Sequence, residues 1–231
     1  MQTRTPLVLV AAAVAALACG GSKESNTSPP PTDTTGTSPS GLNIAVDSAF
    51  SNRTAVVATA LPAEVHVTKA GQPQSGVVVN WNIITGGGKV ASPTSTTDAN
   101  GLAATTWTIG DTVRLNTLSA SITGTASSTM LVQGVADAPT VVTNASADSS
   151  AVVAGSNLVL TVRVADKFGN AVANVPVTWT ATGGALTVSS SQTGPSGRSE
   201  AVFSTNPAAQ SYGITATVAG VGAATFKVVG M

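Results

Sequence analysis

Short alternating apolar segments, separated by turn residues, fill the chain from residue 42 onward. In residues 63–68, Val65 and Val67 alternate with polar neighbours, which indicates a strand with one buried and one solvated face. Strands are predicted in the first half at 43–49, 63–68, 77–84, 102–109, 115–122 and 129–135. In the second half they are predicted at 140–147, 157–165, 175–181, 199–204, 212–218 and 223–229. No helical period is sustained over ten or more residues, so the predicted fold class is all-β.

The pattern of strands and turns occurs twice in the chain. Residues 166–184 contain the turn Phe168-Gly169-Asn170 and a strand centred on Trp179, and a weaker copy around Trp81 lies about 100 residues upstream. Smaller features repeat as well, since Trp107 falls opposite Phe203. Two copies of this length, each with about seven short strands, predict two tandem antiparallel immunoglobulin-like β-sandwiches. We predict domains at 42–136 and 137–231, with Pro139 stiffening the boundary.

The two tryptophans have two interpretations. Trp81 and Trp179 stand among alternating apolar residues on a central strand, which favours a core position in each sandwich. Exposed binding aromatics are the alternative.

The N-terminus has the pattern of a targeting segment. Arg4 precedes the apolar stretch 6–17, which is too short for a membrane-spanning helix. The segment ends in Ala16-Leu17-Ala18-Cys19-Gly20 and resembles a bacterial lipoprotein signal, which implies cleavage after residue 18 and lipidation of Cys19. An ordinary secretory signal that leaves a free thiol is the alternative. Gly20 after the cysteine, by resemblance to Gram-negative lipoprotein sorting, implies export to the outer membrane.

Residues 19–41 are predicted to be the lipidated cysteine and a disordered tether. Residues 22–41 are rich in Ser, Thr and Pro and have almost no large apolar residue, so ordering them would gain too little burial to offset the entropy lost.

A family resemblance rests on two segments. Residues 166–177, with Asp166 and Phe168-Gly169-Asn170, and residues 97–103, with Asp98 and Asn100-Gly101, resemble the group 1 bacterial immunoglobulin-like domain of intimin- and invasin-type adhesins. The resemblance covers roughly residues 42–231 and implies the fold. Because such modules serve as stalks, spacers and binding domains, it leaves the function open.

Composition and candidate chemistry argue against an enzyme. The formal net charge is +0 and aromatic residues make up 3%, so nucleic-acid binding is not expected. His66 is the sole histidine and is predicted to face solvent, and no pair of acids has general acid/base spacing. Gly86-Gly87-Gly88 lacks the Gly-Lys-Ser/Thr sequence and the following helix of a phosphate loop, and the sequons at Asn26 and Asn144 are weak signals in a bacterial protein. No catalytic, cofactor-binding or metal residue, no cofactor and no small-molecule substrate are therefore predicted.

One metal hypothesis remains. The carboxylates of Asp137, Asp148 and Asp166 near the predicted domain boundary could supply oxygens to a structural Ca²⁺. Solvated carboxylates beside a linker are the alternative, since no calcium-loop spacing is present.

These observations predict a non-enzymatic cell-envelope lipoprotein that acts as an adhesion or interaction module. The expected partners are the membrane, through the lipid anchor, and a surface protein or glycan. The expected location is the outer membrane with the domains at the cell surface, or alternatively facing the periplasm. A structural spacer without its own ligand and a carbohydrate-binding accessory protein are the other functions considered.

Overall fold

The alternating segments form strands, and the fold is all-β as predicted. A computed structural model describes residues 41–124 and 127–231; the predicted signal peptide, Cys19 and nearly all of the predicted tether lie outside these residues. The first group of strands is β1 Leu42–Val46, β2 Arg53–Val56, β3 Ala60–Lys69, β4 Gln72–Pro73, β5 Val78–Thr85, β6 Gly88–Val90, β7 Thr94–Thr96, β8 Leu102–Ile109, β9 Leu115–Ser121 and β10 Ser127–Val135. The second group is β11 Val141–Asn144, β12 Ser149–Val152, β13 Asn157–Ala165, β14 Pro176–Ala181, β15 Ala185–Leu186, β16 Ser190–Gln192, β17 Arg198–Ser204, β18 Gln210–Val218 and β19 Gly222–Gly230.

Each group forms a two-sheet sandwich with the same topology. In the first sandwich (β1–β10), one sheet has the order β1-β3-β8-β6, with β4 added to β3, and the other has the order β2-β10-β9-β5-β7. In the second sandwich (β11–β19), the corresponding orders are β11-β13-β17-β15 and β12-β19-β18-β14-β16. The duplicated sequence pattern therefore gives a duplicated topology.

Two pairings are parallel within this otherwise antiparallel arrangement. β2 pairs in parallel with β10, and β12 pairs in parallel with β19. In each sandwich the chain crosses from one sheet to the other between its first two strands. The second strand therefore lies at the edge of the second sheet, beside the last strand of that sandwich.

The core of each sandwich contains the predicted tryptophan. Trp81 and Trp179 are buried, and their indole Nε1 atoms donate to the hydroxyls of Ser95 at 2.8 Å and Ser191 at 3.1 Å. The Trp179 ring stacks on Phe226 with ring centres 6.1 Å apart. The prediction that both tryptophans are core residues is confirmed.

Some predicted boundaries were wrong. The strand predicted at 43–49 ends at Val46, because the carboxylate of Asp47 accepts the N–H of Ala49 at 2.9 Å and starts a short 3₁₀ helix, Ser48–Phe50. The strand predicted at 140–147 covers only Val141–Asn144. Seven short strands were missed: β2, β4, β6, β7, β12, β15 and β16. They have two to four residues each, too few for an alternating pattern to stand out.

Candidate functional site: the joint between the sandwiches

The turn that follows β13 lies where the two sandwiches meet. It begins at Asp166, where the main-chain carbonyl accepts the N–H of Gly169 at 3.0 Å. Gly169 has φ 84°, a left-handed conformation that glycine adopts without strain. One carboxylate oxygen of Asp166, Oδ1, also accepts the N–H groups of Phe168 at 2.9 Å and Asn170 at 2.8 Å. The sequence Asp-Lys-Phe-Gly-Asn thus builds a turn closed by its own first side chain.

The other oxygen of Asp166 reaches the linker. Asp166 Oδ2 accepts the main-chain N–H of Asp137 at 3.0 Å and the side-chain amide of Asn170 at 2.9 Å. The residue is 1% exposed. Burial by itself would raise the pKa of Asp166, but the hydrogen bonds from the Asn170 side chain and from the N–H groups of Asp137, Asn170 and Phe168 outweigh it and hold the pKa below its ordinary value. The carboxylate is therefore a buried anion held by N–H donors.

Asn170 connects the turn to the first sandwich. Its Oδ1 accepts the N–H of Val113 at 3.0 Å, and its Nδ2 donates to the carbonyl of Asp111 at 2.8 Å. The loop between β8 and β9 is thus bound through its backbone. We call these six residues the joint: Asp111, Val113, Asp137, Asp166, Lys167 and Asn170.

Lys167 and Phe168 complete this region from the outside. Lys167 Nζ lies 3.0 Å from Asp137 Oδ2, and its ammonium also lies over the Phe168 ring, 4.9 Å from the centroid. The hydrogen bond from the Ala138 N–H, followed by Lys167, lowers the pKa of Asp137. Because both charged groups are partly exposed, solvent screens the ion pair and its contribution to stability is small. Phe168 also lines an open groove of about 360 Å³ together with residues of the first sandwich, among them Ala58 and Ile109.

The first sandwich has the corresponding turn but different side chains at two of its positions. Lys69-Ala70-Gly71-Gln72 replaces Lys167-Phe168-Gly169-Asn170, and Ala70 and Gly71 have φ of 49° and 79°. Neither the aromatic ring nor the short amide is present, so this turn lacks the groups that bind a neighbouring domain. A different aspartate turn lies nearby, where Asp98 Oδ1 accepts the N–H groups of Asn100 and Leu102 at 2.8 and 2.9 Å.

The joint does not fit the calcium hypothesis. Asp137 and Asp166 do come together, but four N–H bonds occupy the carboxylate of Asp166 and leave little room for a cation. Asp148 is bound elsewhere, to the side-chain amide of Asn144 at 2.7 Å. Within residues 41–124 and 127–231, no group of three or more His, Cys, Asp or Glu side chains is placed to hold a metal.

The other candidate residues have structural places. His66 is exposed on β3, as predicted. Gly86, Gly87 and Gly88 all have positive φ; the first two form the connection between β5 and β6, and Gly88 is the first residue of β6. Asn144 is only partly exposed, and its amide donates to the Thr225 carbonyl at 2.8 Å as well as to Asp148, so its sequon does not offer a free amide. None of the helices in the described part of the chain is long and apolar enough to cross a membrane.

Sequence reasoning did not find the role of Asn170. From the sequence, the Phe-Gly-Asn turn is predicted only to lead into the next strand of the second copy. The signal that could have identified it is its restriction to the copy that follows the linker, with Gln72 in the equivalent place upstream.

Comparison with known proteins agrees with this architecture. Residues 137–229 match the sequence profile of the family described as bacterial Ig-like domain (group 1). A sequence search among curated proteins finds no match.

Two solved structures share the fold of the chain. FdeC, an Escherichia coli adhesin, is 21% identical with a TM-score of 0.57, and the match covers 87% of this chain and 65% of that one. InvD of Yersinia pseudotuberculosis is 16% identical with a TM-score of 0.52, and the match covers 83% of this chain and 58% of that one. The D0-D1 domain of intimin is 24% identical over 80% of this chain and 94% of its own, with a TM-score of 0.33, which is too low to support an argument.

Proposed function

We propose that this protein is a lipid-anchored, non-enzymatic envelope protein whose two sandwiches serve adhesion or interaction at the cell surface. The observation that carries the proposal is the joint, because one buried carboxylate and one amide fix the second sandwich against the first. A fixed pair of domains presents a defined binding surface away from its anchor. The match of residues 137–229 to the bacterial Ig-like domain family, and the fold shared with an adhesin, support this function.

The anchor part of the proposal concerns Cys19. Attachment of lipid to this cysteine would place the predicted tether, residues 19–41, between membrane and domains. Cells grown with an alkyne-bearing fatty acid should label the protein, and Cys19→Ser should abolish the label. Labelling that persists in Cys19→Ser would show that the lipid is attached at another residue, and it would contradict the role proposed for Cys19.

The surface part is tested by shaving intact cells with protease, using a tag placed after Met231. Loss of the tag while a periplasmic control protein survives would support surface exposure. Protection of the tag in intact cells, with digestion after the outer membrane is opened, would place the domains in the periplasm and exclude adhesion to other cells.

A spacer without its own ligand is the second function that the joint favours, because a fixed joint is also what a stiff spacer needs. The two differ in whether the domains bind anything. Saturable binding of the purified chain to the surfaces that its cells colonise, lost when the folded domains are heat-denatured, supports the interaction function. Binding that never saturates, from a correctly folded and surface-exposed chain, supports the spacer.

A further inference from the structure

Two arginines face each other on the outer surface of the second sandwich. The register of β13 and β17 places Arg163 directly opposite Arg198. Both side chains project outward, because their neighbours along the strands, Val162, Val164 and Ser199, are buried inside the sandwich. The two guanidinium groups therefore lie on the same exposed sheet face.

The pairing brings these two side chains close together. The N–H of Val164 donates to the carbonyl of Gly197 at 2.8 Å, so the adjacent Arg163–Arg198 pair lies between ladder hydrogen bonds. Cα atoms in such a non-hydrogen-bonded pair are about 4.5 Å apart, the closer of the two antiparallel spacings. Like charges directly opposite each other on neighbouring strands are destabilising. The fold therefore gains no stability from two guanidinium groups at this position.

Neither arginine is neutralised by a carboxylate of the protein. In the described part of the chain the one ion pair is Lys167–Asp137. Glu200, the one acidic residue on the four strands of this sheet, lies on the same face but opposite Thr161. The two positive charges are therefore available to an anion from outside.

Arg163 is held in place by the turn of the joint. Its Nη2 donates to the carbonyl of Gly169 at 2.7 Å. A guanidinium has five N–H donors, so this bond leaves most of them available. Arg163 is half-buried, whereas Arg198 is exposed and its side chain makes no hydrogen bond among the described residues. One guanidinium is thus positioned in advance, and the other can move to meet a ligand.

The first sandwich shows that the fold does not require this pair. There the N–H of Val67 makes the equivalent bond, to the carbonyl of Gly101 at 2.8 Å. The pair beside that bond is His66 and Leu102. No two basic residues face each other at this position, so the arginine pair is a property of the second copy.

We propose that Arg163 and Arg198 bind a phosphate group, either free or carried by a sugar of a surface glycan. The inference rests on the interaction function proposed above and names the chemistry of its ligand. A guanidinium fork donates two parallel hydrogen bonds to two oxygens of a phosphate. A phosphate monoester carries about −1.5 to −2 charges at pH 7, so it balances two guanidinium groups where a carboxylate balances one.

Amide NMR spectra of the purified, isotope-labelled chain test the site with two probes, inorganic phosphate and glucose monophosphate. We expect saturable shifts that are confined to amides around Arg163, Arg198 and Gly169, and none with unphosphorylated glucose. Shifts with both probes support a phosphate carried by a sugar, and shifts with inorganic phosphate alone assign the site to the free ion. Absence of saturable shifts near the two arginines with either probe would overturn the proposal.

A pair of variants separates this site from general attraction of anions. Arg198→Gln should weaken phosphate binding at least several-fold, while the bond between Arg163 and Gly169 remains. Arg114→Gln is the matched control, because it removes the same charge from the first sandwich, and it should bind phosphate as the wild type does. Equal affinity of the two variants, or shifts spread over basic residues of both sandwiches, would also overturn the proposal. Because the purified chain is used, failure here leaves the protease test of surface exposure unaffected.

Discussion

Several polar side chains in this protein bind backbone groups of turns and loops. Asp166 and Asp98 close turns, Asn170 binds a loop, and the buried Asn116 accepts the N–H of Gly110 and donates to the carbonyl of Arg114, both at 3.0 Å. A buried polar atom that loses such a partner costs about 1–3 kcal/mol. A chain in which 9% of residues are charged thus uses a few buried polar groups to fix its loops.

Trp179→Ala should destabilise the second sandwich by about 3–5 kcal/mol, because it removes a large buried side chain and leaves a cavity beside Phe226. Denaturant unfolding followed by circular dichroism measures the loss. Val159→Ala, an exposed position on β13, is the control and should stay within about 0.5 kcal/mol of the wild type. Equal effects from the two variants would contradict the core assignment.

Gly197→Ala should cost more stability than Gly169→Ala. Both glycines have positive φ, 71° and 84°, so each alanine incurs a strain of about 1–2 kcal/mol. Only at Gly197 would the new methyl also lie 2.5 Å from a carbonyl, that of Val164, while Gly169 has open space around it. The free energies of unfolding of the two variants give the comparison, and a larger loss for Gly169→Ala would show that the turn at Gly197 adjusts.

At the scale of elements, the turn after β13 has a second role besides reversing the chain. The same turn in the first sandwich has Gln72 where the second has Asn170. The shorter side chain of Asn170 is held by Asp166 and presents its amide to the loop between β8 and β9. One element therefore makes both a turn within the second sandwich and a contact with the first.

Asn170→Ala should loosen the joint. The N–H of Val113 loses its acceptor, and the buried Asp166 loses one of its four donors. We expect faster amide hydrogen exchange at Val113 and a loss of about 1–3 kcal/mol in stability. Gln72→Ala is the matched control, because the Gln72 side chain makes no hydrogen bond among the described residues, and it should change neither quantity. Unchanged exchange at Val113 in Asn170→Ala would contradict the role of this side chain.

At the scale of the whole molecule, stability should depend on the ionisation of the joint. The folded-state pKa of Asp166 lies below its unfolded value, so this residue stabilises the fold fully above the unfolded pKa of about 3.9. That contribution is lost as the pH falls through the folded-state pKa. Asp137 and Asp98, whose pKa values are also lowered, act in the same direction.

The free energy of unfolding, measured between neutral pH and about pH 2, should therefore be level near neutrality and decrease below about pH 4. Asp166→Asn cannot ionise, so this variant should be less stable at neutral pH and should lose less on acidification. A pH dependence of Asp166→Asn as steep as that of the wild type would assign the acid sensitivity to other groups.

The sequence predicted most of the longer strands, because a half-buried strand needs alternating residues. Residues 102–109 and 157–165 were predicted with the bounds that the structure has. The short strands β6, β7, β15 and β16 were not predicted from the sequence, because their pairing depends on neighbours distant in sequence. The strand predicted at 43–49 ends early for a local reason, because the side chain of Asp47 caps the short helix that follows it.

By itself, the sequence determined the all-β class, the duplicated pattern and the two core tryptophans, because alternation and repetition are local properties of the chain. Only the tertiary structure determined which contacts the polar residues near the linker make. Asp137, Asp166 and Asn170 meet Asp111 and Val113 only after both sandwiches have folded. The same holds for the exposed valines Val56, Val113 and Val135, which become neighbours only through strand pairing. Contacts between residues far apart in sequence depend on register and topology, which no local pattern contains.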